Sequence, residues 1–364
     1  MTDALNFLMY LLLTLLLLGV LIFVHELGHY LTARACKVKI YEFSIGMGKR
    51  LGGFTSKKTG IQYSLRLLPV GGYVSMAGED EGGDGTEDPN AFHKKNVWQR
   101  ILILAAGAGM NVLTGFLAML VLTTGLTLTS MKPDSNINAL PSTTVSQFGG
   151  GAASQLSGLR VGDTVLSVDG VRVHTGYDLQ YEIMNSGYEP VDLVVERNGE
   201  RLTLPDVRFW VASQGGVSFG SMDFIVEPMD ASVGNVLKTT CFRSVSSIKM
   251  VFDSIGGIIS GRYSLRDLSG PIGVTNTVSQ VASQPLAGWN ILYLFSLIAM
   301  NLGVMNLLPI PALDGGRLFF RLVEVFRFGK PIKPSVEARI HGVGMMLLLL
   351  LTAVIAFKDI FVML

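Results

Sequence analysis

The first apolar segment of the chain ends in a group of ionisable residues. Residues 4–24 are uncharged and rich in leucine, which is long enough for a helix that spans a bilayer. They run directly into the sequence HELGH at residues 25–29. Ionisable groups at membrane depth cost several kcal/mol unless they are matched. The chain must therefore fold so that these side chains meet partners within the membrane.

The spacing of these residues suits a metal ion. On a helix, positions i and i+4 share a face, so His25 and His29 can bind one cation, while Glu26 can take a proton from a water beside it. His-Glu-x-x-His is the zinc metalloprotease pattern, with the glutamate as general base. A chance match is disfavoured because the chain has only five histidines. The motif predicts a metal site if another segment supplies a third ligand.

The composition is that of a membrane protein with a soluble part. Hydrophobic residues make up 49% of the chain and charged residues 16%, against about 25% charged in soluble domains. A net charge of +1, without a basic stripe, argues against a nucleic-acid partner. Cys36 and Cys241 are too few for a thiolate zinc site. Four segments are predicted to span the membrane: residues 4–31, 101–130, 288–308 and 341–357.

The basic residues predict the orientation of the spans. Lysine and arginine concentrate in the loops after the first span and before the last one. Both loops are therefore expected to be cytoplasmic, with the termini and the long middle region extracytoplasmic. If the first helix runs inward to Ala35, His25 lies roughly 15 Å below its cytoplasmic end. This places the metal site within the membrane near the cytoplasmic side.

The first loop contains a β-like segment. Residues 61–76 alternate around Pro69 and Gly71-Gly72, which predicts a membrane-associated β-hairpin. Two interpretations stay open: an edge strand that pairs with an unwound substrate, or a loop that covers the site. Residues 79–88 are acidic and rich in glycine, as in a solvated linker.

The middle region resembles a known binding domain. The sequence GLRVGDTVLSVDGVRV at residues 158–173 is similar to the PDZ domains attached to bacterial proteases, and a hairpin is predicted about Asn198-Gly199. A PDZ domain binds a peptide C-terminus or loop as an added strand. The alternative is a small β-rich spacer. Residues 237–259 predict an amphipathic helix against the outer membrane surface or this domain.

Asp314 is the leading candidate for the third ligand. It lies in the sequence NLLPIPALDGG at residues 306–316, where two prolines end the third span. A carboxylate at a broken helix end is either a ligand or a cap for the next helix. At membrane depth, opposite two histidines, we favour the ligand. Its rivals by residue type are Glu324, His93, His174 and His341.

These motifs together resemble the site-2 protease family of intramembrane zinc metalloproteases (peptidase M50-like). HELGH, NLLPIPALDGG, the PDZ-like insert and SGPIG at residues 269–273 match the bacterial regulator of sigma-E protease type, here with a single PDZ domain. The resemblance implies one Zn²⁺ per chain, bound by His25, His29 and Asp314, with Glu26 as the catalytic base. In one departure, residues 106–111 read AGAGMN, whereas the family usually has Ala-Gly-Pro-x-x-Asn.

The resemblance also implies a set of substrate-binding residues. Asn306 would position the substrate, a Gly-x-Gly hairpin would lie in the membrane, and a neighbouring strand would pair with the substrate backbone. The hairpin and strand positions are Gly46, Gly48, Leu67, Pro69, Gly71, Gly72 and Tyr73.

The expected fold is a polytopic α-helical membrane protein with four transmembrane helices, a membrane-associated β-hairpin and one extracytoplasmic α+β PDZ domain. The expected location is the bacterial inner (plasma) membrane. The expected divisions are residues 1–35 (first span), 36–100 (cytoplasmic loop), 101–130 (second span), 131–230 (PDZ-like), 231–287 (amphipathic helix and linker), 288–316 (third span) and 317–364 (cytoplasmic loop and last span).

The expected activity is zinc-dependent cleavage of transmembrane segments. Single-span membrane proteins already trimmed by another protease, such as anti-sigma factors, or signal-peptide remnants are the expected substrates. One alternative is a non-proteolytic membrane PDZ adaptor with a structural zinc, which would normally need a fourth ligand. The other is a zinc transporter, which would need further ionisable residues within the spans.

Overall fold

Long apolar helices dominate the computed structural model, which describes residues 2–79, 87–132, 135, 137–214, 216–264, 270–330 and 332–363. Two compact units are distinguished: Met1–Gly115 with Leu268–Leu364, and Phe116–Asp267. The helices are α1 (Thr2–Ala35), α2 (Val97–Ser130), α3 (Ala153–Leu156), α4 (Gly176–Ser186), α5 (Val233–Ile259), α6 (Pro271–Ala282), α7 (Ala287–Leu307), α8 (Asp314–Phe326) and α9 (Pro334–Met363). The strands are β1 (Ile40–Thr55), β2 (Gln62–Met76), β3 (Pro141–Phe148), β4 (Thr164–Val168), β5 (Val171–Arg172), β6 (Val191–Arg197), β7 (Glu200–Val207), β8 (Trp210–Gln214), β9 (Val217–Ser221) and β10 (Phe224–Pro228).

The predicted spans correspond to helices of sufficient length and hydropathy. Four described segments could cross a membrane: Leu5–Ala35, Val97–Ser130, Ala287–Leu307 and Ser335–Asp359. Several bounds differ from the sequence prediction, and two of them have a clear physical reason. The second helix begins at Val97 and so includes Arg100, which is tolerated because its guanidinium pairs with a buried carboxylate. The third helix ends at Leu307, and α8 starts separately after Pro309 and Pro311.

The predicted hairpin differs from the structure. The two halves of residues 61–76 do not pair with each other; both pair with β1. Residues 40–45 lie between residues 72–76 on one side and residues 62–65 on the other. Residues 50–55 pair with residues 62–66 and form the fourth segment. Gly46, Gly48 and Gly71 have φ values of 84°, 83° and 90°. These left-handed conformations let both strands bend, so two long strands form a sheet of four segments.

A half-buried ion pair links the segments of this sheet. Glu42 of β1 accepts hydrogen bonds from Arg66 Nη2 at 2.9 Å and from Tyr73 Oη at 2.5 Å. Arg66 also donates from Nε to Ser44 Oγ at 3.0 Å. Burial raises the pKa of Glu42, but hydrogen bonds from Ser64, Tyr73 and Arg66 outweigh burial and lower the pKa to about 2. The charged carboxylate therefore stabilises the folded sheet.

This pKa shift predicts how the stability of the sheet depends on pH. A carboxylate with a lowered folded-state pKa stabilises the protein above its ordinary pKa of 4.5, and this contribution is lost as the pH falls towards about 2. We expect Glu42→Gln to lower the thermal midpoint at pH 7, with the difference from wild type narrowing at about pH 3. Melting curves in detergent would measure this difference, with the exposed Glu227→Gln as control. A difference that is constant over this range would contradict the assignment.

The start of α6 is fixed by a carboxylate from the end of α9. Asp359 Oδ2 accepts the backbone N–H groups of Gly270 and Gly273 at 2.9 and 3.0 Å. Free N–H groups at a helix N-terminus favour a carboxylate. The conspicuous SGPIG sequence thus forms the N-terminus of a helix, although its Ser269 lies outside the described residues, as do residues 80–86 of the acidic linker.

The second unit contains a sheet with the order β10-β3-β4-β6-β7, with β5 paired to β4, and a separate β8–β9 hairpin. Its core is apolar and includes Leu179 and Ile183 of α4. The hairpin predicted about Asn198-Gly199 is confirmed: β6 pairs with β7, and both turn residues have positive φ.

Helix α5 packs against α4 through its polar face. Lys249 Nζ lies 3.0 Å from Glu182 Oε2 and 2.8 Å from Asp253 Oδ2, which also accepts a hydrogen bond from Tyr181 at 2.6 Å. The apolar stripe that predicted an amphipathic helix is exposed; Ile259, for example, is 82% exposed. Amphipathicity was therefore predicted correctly, and polar side chains form the contact with α4.

Candidate metal centre

Three side chains from opposite ends of the chain converge at one point. His25 and His29 lie one turn apart on α1, and Asp314 is the first residue of α8. Asp314 Oδ2 lies 2.9 Å from His25 Nε2 and 3.2 Å from His29 Nε2. The two Nε2 atoms are 3.2 Å apart. Three ligand-type atoms thus form a nearly equilateral triangle.

The size of this triangle fits a zinc ion. Ligand atoms about 2.0–2.1 Å from a tetrahedral zinc lie roughly 3.3 Å from one another, close to the observed separations of 2.9–3.2 Å. Two imidazole nitrogens and a carboxylate oxygen are also the donors found in catalytic zinc sites. Within the described part of the chain, these residues are the group identified as able to hold a metal.

Close packing at the end of α7 positions Asp314. A Cβ on Gly315 would lie 2.0 Å from the carbonyl oxygen of Leu308, and one on Gly316 would lie 2.6 Å from that of Ile310. The glycines are therefore required for this close approach. Asp314 is itself helical, with Leu313 as the N-cap, so it is not a cap for a helix starting at Arg317.

Glu26 lies beside the sheet rather than within the triangle. Its carboxylate faces the backbone of Val74. A Cβ on Gly72 would lie 3.1 Å from Glu26 Cγ and 2.9 Å from the carbonyl oxygen of Ser44. The β2 strand therefore passes directly along the glutamate, and a glycine at position 72 makes this approach feasible.

The rival carboxylate, Glu324, is engaged elsewhere. It is ten residues after Asp314 on the same helix, a separation of roughly 15 Å at 1.5 Å per residue. Arg100 Nη2 lies 2.6 Å from its Oε1, and Arg321 Nη1 lies 3.1 Å from its Oε2. Glu324 therefore neutralises buried arginines.

The remaining histidines have other partners. His93 Nδ1 lies 3.2 Å from the carbonyl oxygen of Gly78, and His174 lies 3.4 Å from Asp178. His341 has a more specific position that the sequence did not indicate. Its Nδ1 accepts the backbone N–H of Ala312 at 3.0 Å, and Ala312 has a φ of 81°. His341 thus stabilises the strained loop immediately before Asp314.

The predicted substrate residues lie in two places. Asn306 is half-buried in the last turn of α7. The others lie along β1 and β2, where Gly72 reaches Glu26, Tyr73 donates to Glu42, Gly71 faces Met47 and Leu67 is 55% exposed. Gly46, Gly48 and Pro69 lie where these two strands bend or pair.

Sequence comparison with known proteins agrees with the geometry of the three converging side chains. The family model described as "Peptidase family M50" matches residues 13–351. The chain belongs to peptidase family M50. It is 34% identical over 348 residues to a candidate zinc metalloprotease of Clostridium acetobutylicum, covering 95% of this chain and 96% of that protein. Family membership makes the chain an intramembrane zinc metalloprotease with Zn²⁺ as its cofactor.

Two named relatives belong to the RasP group. Regulator of sigma-W protease RasP of Bacillus subtilis is 27% identical over 426 residues, covering 95% of this chain and 97% of that protein. Zinc metalloprotease RasP of Shouchella clausii is 29% identical, covering 94% and 96%. Together with the four apolar helices, the M50 assignment places the chain in a membrane.

Proposed function

We propose that this M50 protease cleaves peptide bonds within transmembrane segments at a zinc site formed by His25, His29 and Asp314, with Glu26 as general base. The convergence of three ligand-type atoms within 3.2 Å of one another, with Glu26 one residue from a ligand, is the observation that carries this proposal. Such a site would lie about 15 Å from the C-terminal end of α1, inside the bilayer.

The proposed roles follow from the donor types. His25, His29 and Asp314 would hold the ion, which would supply Lewis-acid activation of a water molecule and of the scissile carbonyl group. Glu26 accepts a proton at its carboxylate and returns it to the leaving amine. The close approach of Gly72 limits the space available to this side chain.

A substrate helix must unwind before it can be cut, because its backbone amides are otherwise paired. We propose that the edge of β2 at residues 72–76 supplies replacement hydrogen-bond partners. This segment borders the sheet and passes along Glu26. Asn306, Gly46, Gly48, Leu67, Pro69, Gly71 and Tyr73 would shape or extend this binding edge. Pairing through the backbone would tolerate many substrate sequences.

We further propose the layout of the chain in the membrane. Residues 36–100 and the loop before α9 would be cytoplasmic because they carry the basic residues, and the termini would be extracytoplasmic. Residues 131–230 would form one extracytoplasmic PDZ domain, supported by the GLRVGDTVLSVDGVRV sequence and by the strand–helix pattern of the second unit. The membrane would be the bacterial inner membrane.

Substrates would be single-span proteins with little extracytoplasmic mass. One relative is named regulator of sigma-W protease. Trimmed anti-sigma factors and signal-peptide remnants are single-span segments with little extracytoplasmic mass. A folded extracytoplasmic domain leaves less room for a bulky substrate domain on that side of the membrane.

A length series of substrates tests this proposal. We expect purified protein to cleave a single-span reporter with a short extracytoplasmic tail, and to cleave it at least tenfold more slowly when a folded domain is attached there. A zinc chelator should stop cleavage, and added zinc should restore it. Cleavage in soluble loops only, or full activity without zinc, would contradict the proposed function.

A further inference from the structure

The second helix lies against the two histidines of α1. A Cβ on Gly28 would lie 2.4 Å from the carbonyl oxygen of Ala106, and a Cβ on Gly107 would lie 2.3 Å from His29 Nε2. The two helices therefore approach closely because each has a glycine at the crossing. The AGAGMN sequence at residues 106–111 is thus part of the wall of the metal centre.

One histidine has a well-defined partner on α2. His29 Nδ1 lies 2.8 Å from the carbonyl oxygen of Ile103. A carbonyl oxygen can only accept, so Nδ1 carries the ring proton and Nε2 keeps its lone pair for a cation. This is the tautomer that a zinc-binding histidine requires when Nε2 is the ligand atom.

The other histidine faces an asparagine on the same helix. Asn111 is 0% exposed, and its Nδ2 lies 3.4 Å from His25 Nδ1. Its Oδ1 has no hydrogen-bond partner among the described residues. A buried amide oxygen without a partner is destabilising, and a buried polar residue in a membrane helix calls for a functional reason.

We propose that Asn111 is a positioning residue for His25, with its amide oxygen accepting the proton on His25 Nδ1. With the amide nitrogen facing His25, the ring would have to accept at Nδ1 and carry its proton on Nε2, which faces Asp314 and His29. A half-turn of the amide exchanges oxygen and nitrogen without displacing the side chain. The exchange satisfies the unpartnered oxygen and frees Nε2 to bind a cation.

Helix geometry explains how one helix serves both histidines. Ile103 and Asn111 are eight residues apart on α2, or about 2.2 turns, so they lie on the same side of the helix within about a quarter turn of each other. A backbone carbonyl points towards the helix C-terminus, whereas a side chain leans towards the N-terminus. The Ile103 oxygen and the Asn111 amide therefore converge on histidines that are only one turn apart.

Zinc affinity tests this proposal directly, with a competing zinc-binding dye and the full chain in detergent. Asn111→Leu removes the acceptor at similar size and should weaken zinc binding about 10–100-fold, the usual effect of losing such a partner. Asn111→Asp keeps acceptor oxygens but has no N–H donor, so it should stay within a few-fold of wild type. Leu113→Ala is the matched control on α2, since Leu113 is 48% exposed.

Each result decides the proposal. Wild-type zinc affinity in Asn111→Leu would overturn it, and equal weakening in Asn111→Leu and Asn111→Asp would show that the amide acts as a donor, which also overturns it. If Asn111→Leu does not fold, Asn111→Ala takes its place in the same comparison. The inference rests on the proposed ligand set, which His25→Ala tests separately. Unchanged zinc affinity in His25→Ala would contradict the ligand set. Lost zinc affinity in His25→Ala, together with wild-type zinc affinity in Asn111→Leu, would contradict only the role of Asn111.

Discussion

Glu26→Gln is expected to abolish proteolysis while leaving zinc bound. The amide keeps the shape of the side chain beside Gly72 but cannot accept a proton, and Glu26 is not part of the ligand triangle. General base catalysis typically contributes about 10²–10⁴-fold, so we expect a loss of that size in the cleavage rate. Cleavage of a membrane-spanning reporter and zinc content per chain would be measured on the same preparation.

The control for this substitution is Glu227→Gln, which removes an exposed carboxylate from β10. It should cleave at the wild-type rate. If Glu26→Gln retained cleavage, the glutamate would not be the base. If Glu26→Gln lost zinc as well, the role of Glu26 would be structural, because the zinc affinity of the three ligands would then depend on this side chain.

Asp314→Ala is expected to lose zinc together with activity. Structural zinc sites bind with about 10–16 kcal/mol, so one ligand accounts for roughly 3 kcal/mol or more, which corresponds to a hundredfold or greater loss of affinity. The measurement is zinc affinity by dye competition, with thermal melting to establish that the variant is folded.

Glu324→Gln provides the decisive comparison, because Glu324 is the other carboxylate of α8. It should keep the zinc affinity of wild type but melt at a lower temperature, since it removes the charged partner of the buried Arg100, while Arg321 keeps its ion pair with Glu337. The opposite pattern, with zinc lost in Glu324→Gln and kept in Asp314→Ala, would exchange the two roles.

The apolar helices could be predicted well from sequence because the bilayer imposes a length and composition on each span. The HELGH motif could be interpreted chemically because i and i+4 positions meet on any helix, whatever surrounds it. The Asn198-Gly199 hairpin is equally local, since two residues with positive φ determine the turn.

The sheet beside Glu26 could not be predicted in the same way. Alternation in residues 61–76 indicates strand, but it does not say which strand is the partner. In the structure the partner of both halves is β1, and the bends at Gly46, Gly48 and Gly71 decide the register. A hairpin and a four-segment sheet have the same local pattern, so only tertiary pairing distinguishes them.

The sequence by itself indicated the donor types of the proposed centre, its zinc-binding motif and its position along an apolar helix. Only the tertiary structure decided which residues surround the two histidines. Asp314 is 285 positions from His29 in the chain, and neither the AGAGMN sequence around Asn111 nor the position of His341 in the chain indicated the contacts that these two residues make. Contacts between distant segments depend on how α1, α2, α8 and α9 pack, and close packing at glycines such as Gly107 and Gly315 determines that arrangement.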